Sequence, residues 1–137
     1  MSDAANVIEL ELYIIRHGQT YGNLGKAMDS FSELDRNDVL LTDKGQHQAE
    51  KLGERFSNYP FDAVYSSGLR RAMQTATEII KRQPENGAEN IIVHPLLSEV
   101  GGVEEEYSGL TFSQAEKMFP CISLAEGFDR NGRIISF

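Results

Sequence analysis

Arg16, His17 and Gly18 follow directly on an apolar run, and Gln19, Thr20 and Asn23 continue the group. In its neutral form an imidazole keeps a lone pair on one ring nitrogen, a nucleophile able to accept a phosphoryl group. The Arg16 guanidinium offers a planar fork of donors that matches phosphate oxygens. Gly18 removes a side chain where backbone must come close to a ligand. The competing reading, a turn that merely contains these residue types, stays open on this stretch alone, because short motifs recur by chance.

A second group, Ser66-Ser67-Gly68-Leu69-Arg70-Arg71-Ala72, delivers arginines into a helix start. Helix N-termini favour anions through their free N–H groups and the helix dipole. Arg71 is therefore a candidate phosphate clamp, with a plain helix-face cation as the alternative, and Arg70 reads equally well as a solvated surface charge. A third group, Leu97-Ser98-Glu99, places a carboxylic acid where a departing alkoxide would need a proton. Glu104, Glu105 and Glu106 lie close by, and a run of acids is more often a solvated edge than a site. His47 and His94 read as surface or packing residues. The chain shows no Cys/His cluster at metal-ligand spacing, so neither metal nor cofactor is expected.

Three strand ends must bring these groups together. Residues 7–15 alternate and then become continuously apolar, the pattern of a first strand buried on both faces. Residues 22–41 show no sustained period and read as an irregular excursion over the site. Thr42 caps an amphipathic helix that runs through Phe56. Residues 61–65 form a second strand, and Leu69, Ala72, Ala76, Ile79 and Ile80 carry the helix after it. Residues 84–90 are a polar turn, and Ile91, Ile92 and Val93 a third strand stopped by Pro95. A last helix starts from a capping box, either Thr111 with Gln114 or Ser113 with Glu116, and stops before Pro120. Strands separated by helices imply βαβ units, hence an α/β fold of three layers with a mainly parallel sheet and flanking helices. Ligands bind such sheets at the carboxyl ends of strands, where all three groups fall.

The chain has 137 residues, 40% hydrophobic and 25% charged, which fits one folded domain over residues 1–137. A net charge of −8 works against binding nucleic acid or an anionic membrane, so any anionic substrate must be held by local arginines. No apolar run approaches the roughly 20 residues that span a bilayer, and no basic leader precedes the first strand. Cys121 is the single cysteine and has no internal partner for a disulfide, which points to a reducing compartment, by default the cytoplasm.

Together, Arg16-His17-Gly18 with Thr20 and Asn23, Leu41-Thr42 with Gly45 and Gln48-Ala49, and Ser66-Ser67 with Leu69, Arg71-Ala72 and Gln74-Thr75-Ala76 resemble the histidine phosphatase superfamily, the phosphoglycerate-mutase-like clan. The resemblance runs from about Leu12 to Thr111. It implies that His17 becomes phosphohistidine, that Arg16, Asn23 and Arg71 bind the phosphoryl oxygens, and that Glu99 donates the proton. Two features depart from it. Family members carry a second catalytic histidine on a later strand, whereas no histidine follows His94 here, so the family fold is expected to be incomplete at the C-terminal end. The stretch between Glu99 and Gly109 is about two residues longer than the family pattern, which makes Glu104 to Glu106 rival donors.

The resemblance implies hydrolysis of a small phosphate monoester. Phosphoglycerate-mutase-type transfer is the nearest alternative, disfavoured because residues 22–41 lack the Trp-containing stretch of glycolytic mutases. A member that binds phosphorylated ligands or a partner without turnover is the other. Residues 121–137 match nothing in the pattern. The bare edge of the first strand is expected to be covered by another chain, as in a homo-oligomer, by the tail around Ile134-Ile135, or by a loop.

Overall fold

The computed structural model describes residues 6–25, 30–98, 107 and 109–135. Its elements in chain order are α1 (Glu33–Asn37), α2 (Asp43–Arg55), β1 (Val64–Ser66), α3 (Arg70–Ile80), β2 (Ile91–Val93), α4 (Phe112–Met118) and β3 (Ile122–Leu124), with 3-10 turns at Tyr21–Leu24 and Pro95–Leu97. The sheet is parallel in the order β1-β2-β3, with Ser66 beside Val93 and Val93 beside Leu124. The α/β class and the flanking helices agree with the sequence expectation.

α2 and α4 start at side-chain caps. Thr42 Oγ1 accepts the Gly45 N–H at 3.1 Å and opens α2. Thr111 and Gln114, one of the two expected pairs, close a reciprocal capping box on α4. In α3 the buried Met73, Ala76, Ile79 and Ile80 recur at helical spacing. That stripe packs α3 onto β1 and β2, and α2 covers α3 on its other side. The core joins Met73, Ile80, Ile91, Val93, Phe112 and Ala115. Burying such side chains contributes about 1.5–3 kcal/mol each.

The first strand is a correction. Residues 6–19 form no strand, and Ile8, Leu12 and Ile14 are 92%, 71% and 90% exposed rather than buried on both faces. A strand needs a neighbour for its N–H and C=O groups, and a cavity of about 820 Å³ separates residues 11–17 from the nearest sheet edge, β1. What tethers the segment is aromatic: the Tyr13 ring meets Phe56, Tyr59 and Phe61 edge-on with centroids 5.4–5.6 Å apart. The hydroxyls of Tyr13 and Tyr59 both donate to the Glu11 carboxylate.

The second strand lies slightly later than expected, at Val64–Ser66, and the irregular excursion contains α1 and the Tyr21–Leu24 turn. The tail supplies β3, which the sequence pattern did not reveal. Ile134 and Ile135 do not cover the first strand's edge. They are 0% and 7% exposed, and the Ile134 N–H donates to the Leu110 carbonyl at 3.1 Å. Gly68 makes room for them, since a Cβ there would stand 2.0 Å from the Ile134 carbonyl oxygen.

Candidate functional site

The cavity between residues 11–17 and β1 is walled by Leu12, Ile14, Val64, Ala72, Ala76 and Ile79, and at its polar end by Arg16, His17, Ser67 and Arg71. His17 and Arg71 are half-buried, and Arg16 is exposed. A second, smaller concavity of about 330 Å³ is lined by Arg16, His17, Gly18, Gln19, Asn23 and Gln48. His17 and Arg16 therefore stand where the two meet. The structure brings together Arg16, His17 and Arg71, and sets Asn23 on the adjoining face. Glu99, with the rival acids Glu104 to Glu106, lies outside the described residues.

His17 Nδ1 is 2.7 Å from the Gly18 carbonyl oxygen. A carbonyl only accepts, so in the neutral ring Nδ1 carries the hydrogen and Nε2 the lone pair. Gly18 is fixed in turn, its N–H donating to Thr75 Oγ1 at 3.3 Å. The Gln19 N–H donates to Gln48 Oε1 at 2.9 Å, and the Gln19 carbonyl accepts the Thr42 N–H at 2.9 Å. The His17 loop thus rests on the starts of α2 and α3. It rests very closely: a Cβ on Gly18 would stand 2.4 Å from the Gly45 oxygen, and one on Gly45 1.9 Å from the Gln19 oxygen. Only glycines permit that approach of backbone to backbone.

Asn23 is held by a capping box with Thr20, its Oδ1 accepting the Thr20 N–H at 2.9 Å. The Asn23 amide NH₂ is left as the group that can meet an anion. Arg71 is the second residue of α3, where backbone N–H groups lack helical partners. Arg70 is not the surface charge that one sequence reading allowed. It is 6% exposed, with Nη2 donating to Asp35 Oδ1 at 2.6 Å and Nε to the Asp38 carbonyl at 2.9 Å. The Arg70 hydrogen bond holds the Asp35 carboxyl below the usual carboxylate range.

His47 is exposed beside Glu50, as expected. His94 caps the Pro95–Leu97 turn through Nδ1, which accepts the Leu96 N–H at 3.2 Å, and its ring meets Phe128 edge-on while also lining the larger cavity. Sequence reasoning assigned no role to Gln48, Thr75, Gln74 or Asp38. The first three were visible only as recurring letters of the motifs, and Asp38 carried no signal beyond its place before Leu41-Thr42. Among the described residues no three His, Cys, Asp or Glu side chains gather as a metal site, and no helix is long and apolar enough to cross a membrane.

A parallel sheet with flanking helices, and a cavity beside β1 lined by Arg16, His17 and Arg71, place the protein in the α/β class. Residues 12–131 match the model of the histidine phosphatase superfamily, branch 1, and the chain belongs to that family. A broad-specificity phosphatase of Saccharomyces cerevisiae is 33% identical over 118 residues, 85% of this chain and 47% of that protein. Fructose-2,6-bisphosphatase TIGAR B of Danio rerio is 35% identical over 100 residues, 72% of this chain and 37% of that one. A 2,3-bisphosphoglycerate-dependent phosphoglycerate mutase of Arabidopsis thaliana is 30% identical over 118 residues, 86% of this chain and 34% of its own length. The chain therefore spans half or less of the length of these relatives. The fold resembles the crystal structure of an ecdysone phosphate phosphatase from Bombix mori in complex with tungstate, at TM-score 0.51 and 20% identity, covering 95% of this chain and 49% of that one.

Proposed function

We propose that the protein hydrolyses phosphate monoesters of small molecules through a phosphohistidine on His17. One observation carries the reading: the Nδ1 contact to the Gly18 carbonyl leaves Nε2 with the lone pair, on a ring that lines a cavity with Arg16 and Arg71. Nε2 attacks phosphorus, an N–P bond forms, and the P–O ester bond breaks with its electron pair going to the alcohol oxygen. Glu99 is the assigned proton donor to that oxygen. Water then attacks phosphorus, its proton passes back to Glu99, and the N–P bond breaks to release inorganic phosphate and restore His17. Arg16 and Arg71 hold the charge that develops on the phosphoryl oxygens, and the Asn23 amide assists. Two of the relatives described above are phosphatases, which supports hydrolysis, and one is a phosphoglycerate mutase, which keeps phosphoryl transfer as the nearest alternative.

Turnover of p-nitrophenyl phosphate by the protein and by His17→Ala tests the reading. The expected result is release of p-nitrophenol by the parent and none by the variant; equal rates in both would overturn it. A second reading, binding of phosphorylated ligands without turnover, is favoured by the wide gap beside the unpaired residues 11–17. Tungstate or phosphate bound by a parent that shows no turnover would select it. The exposed apolar residues 7–15 also support association with a second copy, which sedimentation across a concentration series would detect as a rising mass.

A further inference from the structure

α3 carries Arg71, yet its own N-cap residue, Leu69, makes no side-chain capping hydrogen bond. The cap comes from 32 residues earlier in the chain. Asp38, 0% exposed at the end of α1, accepts the Arg70 N–H on Oδ1 at 2.7 Å. Its carbonyl accepts both Nε and Nη2 of Arg70, at 2.9 and 2.6 Å. Asp38 is itself fixed by its N–H, which donates to the Leu34 carbonyl at 2.7 Å. One residue thus grips the first residue of α3 by backbone and side chain together.

The next residue in that helix is Arg71. One turn further, Gln74 Oε1 accepts the Leu41 N–H at 2.9 Å and Thr75 Oγ1 accepts the Gly18 N–H. The first turns of α3 are therefore tied to residues 38–41 on one side and to the His17 loop on the other, with Arg71 between the two. We propose that Asp38 is a positioning residue for Arg71: by capping α3 from α1 it sets where the Arg71 guanidinium stands relative to His17. This rests on the reading of Arg71 as a phosphoryl-binding group.

The Arg70 side chain strengthens the grip, because its fork on the Asp38 carbonyl and its ion pair with Asp35 clamp the helix start to α1 from the side. Burial pushes the Asp38 carboxyl above its usual range, while Arg70 and Arg71 act in the opposite direction. Asp38→Asn retains Oδ1, and Asp38→Ala removes it.

Tungstate affinity, measured by calorimetry on the full chain at a temperature where far-UV circular dichroism shows every variant folded, tests the proposal. Asp38→Ala is expected to weaken binding about tenfold, the size of effect that a small misplacement of a binding group produces. Asp38→Asn should stay within about threefold of the parent. Ile91→Val, a core change away from the site, should lower stability and leave affinity unchanged. In an Arg71→Ala background the further change Asp38→Ala should cost nothing more, since it acts through the missing guanidinium. Additive losses, or an Asn variant as weak as the Ala variant, would overturn the proposal. If Arg71→Ala weakens binding and Asp38→Ala does not, the Asp38 inference alone falls. If tungstate fails to bind the parent, or Arg71→Ala leaves binding unchanged, the site reading falls and takes the inference with it. Should Asp38→Ala not fold, Arg70→Lys replaces it. That variant loses the fork on the Asp38 carbonyl and is expected to weaken binding at least threefold, and an unchanged affinity overturns the proposal.

Discussion

Gly45→Ala is the sharpest perturbation available, because it adds one methyl group where two backbones already touch. The new Cβ would stand 1.9 Å from the Gln19 carbonyl oxygen, and ordinary contact begins at 3.4 Å, so one backbone must retreat by about 1.5 Å. Overpacking of this kind costs about 1–3 kcal/mol. The retreat also strains the bond from the Thr42 N–H to the same oxygen, worth about 1 kcal/mol. Replacing a helical glycine by alanine returns about 1 kcal/mol in helix propensity. The net expectation is a loss of about 1–3 kcal/mol, or roughly 3–10 °C in Tm for a chain of this size. Gln19 is two residues from His17, so the retreat moves the histidine, and tungstate affinity should fall at least tenfold. Gly22→Ala is the matched control, since its Cβ would meet nothing nearer than Thr20 Oγ1 at 3.6 Å. Calorimetric melting and a tungstate titration on both variants decide the matter. A Gly45→Ala protein that melts and binds like the parent would refute the close approach and the account of how the His17 loop is held.

Three further outcomes follow from the same structure. Ile91→Ala, at a fully buried position of β2, should destabilise by about 2–5 kcal/mol in urea unfolding, and a cost under about 1 kcal/mol would contradict its place in the core. Asp35 has its carboxyl held low by Arg70, so its contribution is present above the ordinary carboxylate value of 3.8 and is lost as pH falls through the lower folded value. The stability gap between the parent and Asp35→Asn should therefore shrink between pH 6 and pH 3, and a gap that stays constant or widens would contradict the pairing. Ile14→Lys changes a side chain that is 90% exposed, so it should alter stability by less than about 0.5 kcal/mol while reducing binding of an apolar dye. A loss of several kcal/mol at every protein concentration would mean that the side chain is buried; a loss confined to high concentration would place a second copy over it.

Most of the helical frame was legible because its signals are local. Thr42 and Thr111 cap at the positions their side chains can reach, and Leu69, Ala76, Ile79 and Ile80, which the helical spacing singled out, are buried. Arg16 and His17 stood out because they follow an apolar run, and Arg71 because it opens a helical pattern; in the structure the three line one cavity. β3 was hidden: Ile122–Leu124 contains only three residues, too short to show a period, and it is a strand only because Ile91 to Val93 offers it an edge. Ile134 was hidden for a similar reason, since its burial depends on Gly68 and Leu110 far away in sequence. Residues 7–15 erred in the opposite direction. Their apolar pattern states a preference for burial, but pairing requires a partner within hydrogen-bond distance, and none of the described residues supplies one.

That contrast bears on how the site is held. The segment leading into His17 is fixed at one end by the Tyr13 aromatic contacts and at the other by the bonds of Gly18 and Gln19, with no ladder between them. In a paired strand, hydrogen bonds along its whole length would set the height of the histidine above the sheet. Here that work falls on the contacts of Gly18 and Gln19 with Gly45, Gln48 and Thr75, and on the clasp of Asp38 and Arg70 that fixes the start of α3. The first set reaches α2 and α3 and the second joins α3 to α1, so the relative placement of His17 and Arg71 depends on the seam between α2 and α3. Glu78, whose carboxyl is pushed upward by burial but held low on balance by Arg82, Lys81 and Gln46, ties that seam through the bond from Gln46 Nε2 at 2.8 Å. Glu78 does not line the cavity, so a change there should disturb the anion site only if it lets the helices shift as bodies, whereas a change at Gly45 or Asp38 acts on the parts that hold His17 and Arg71.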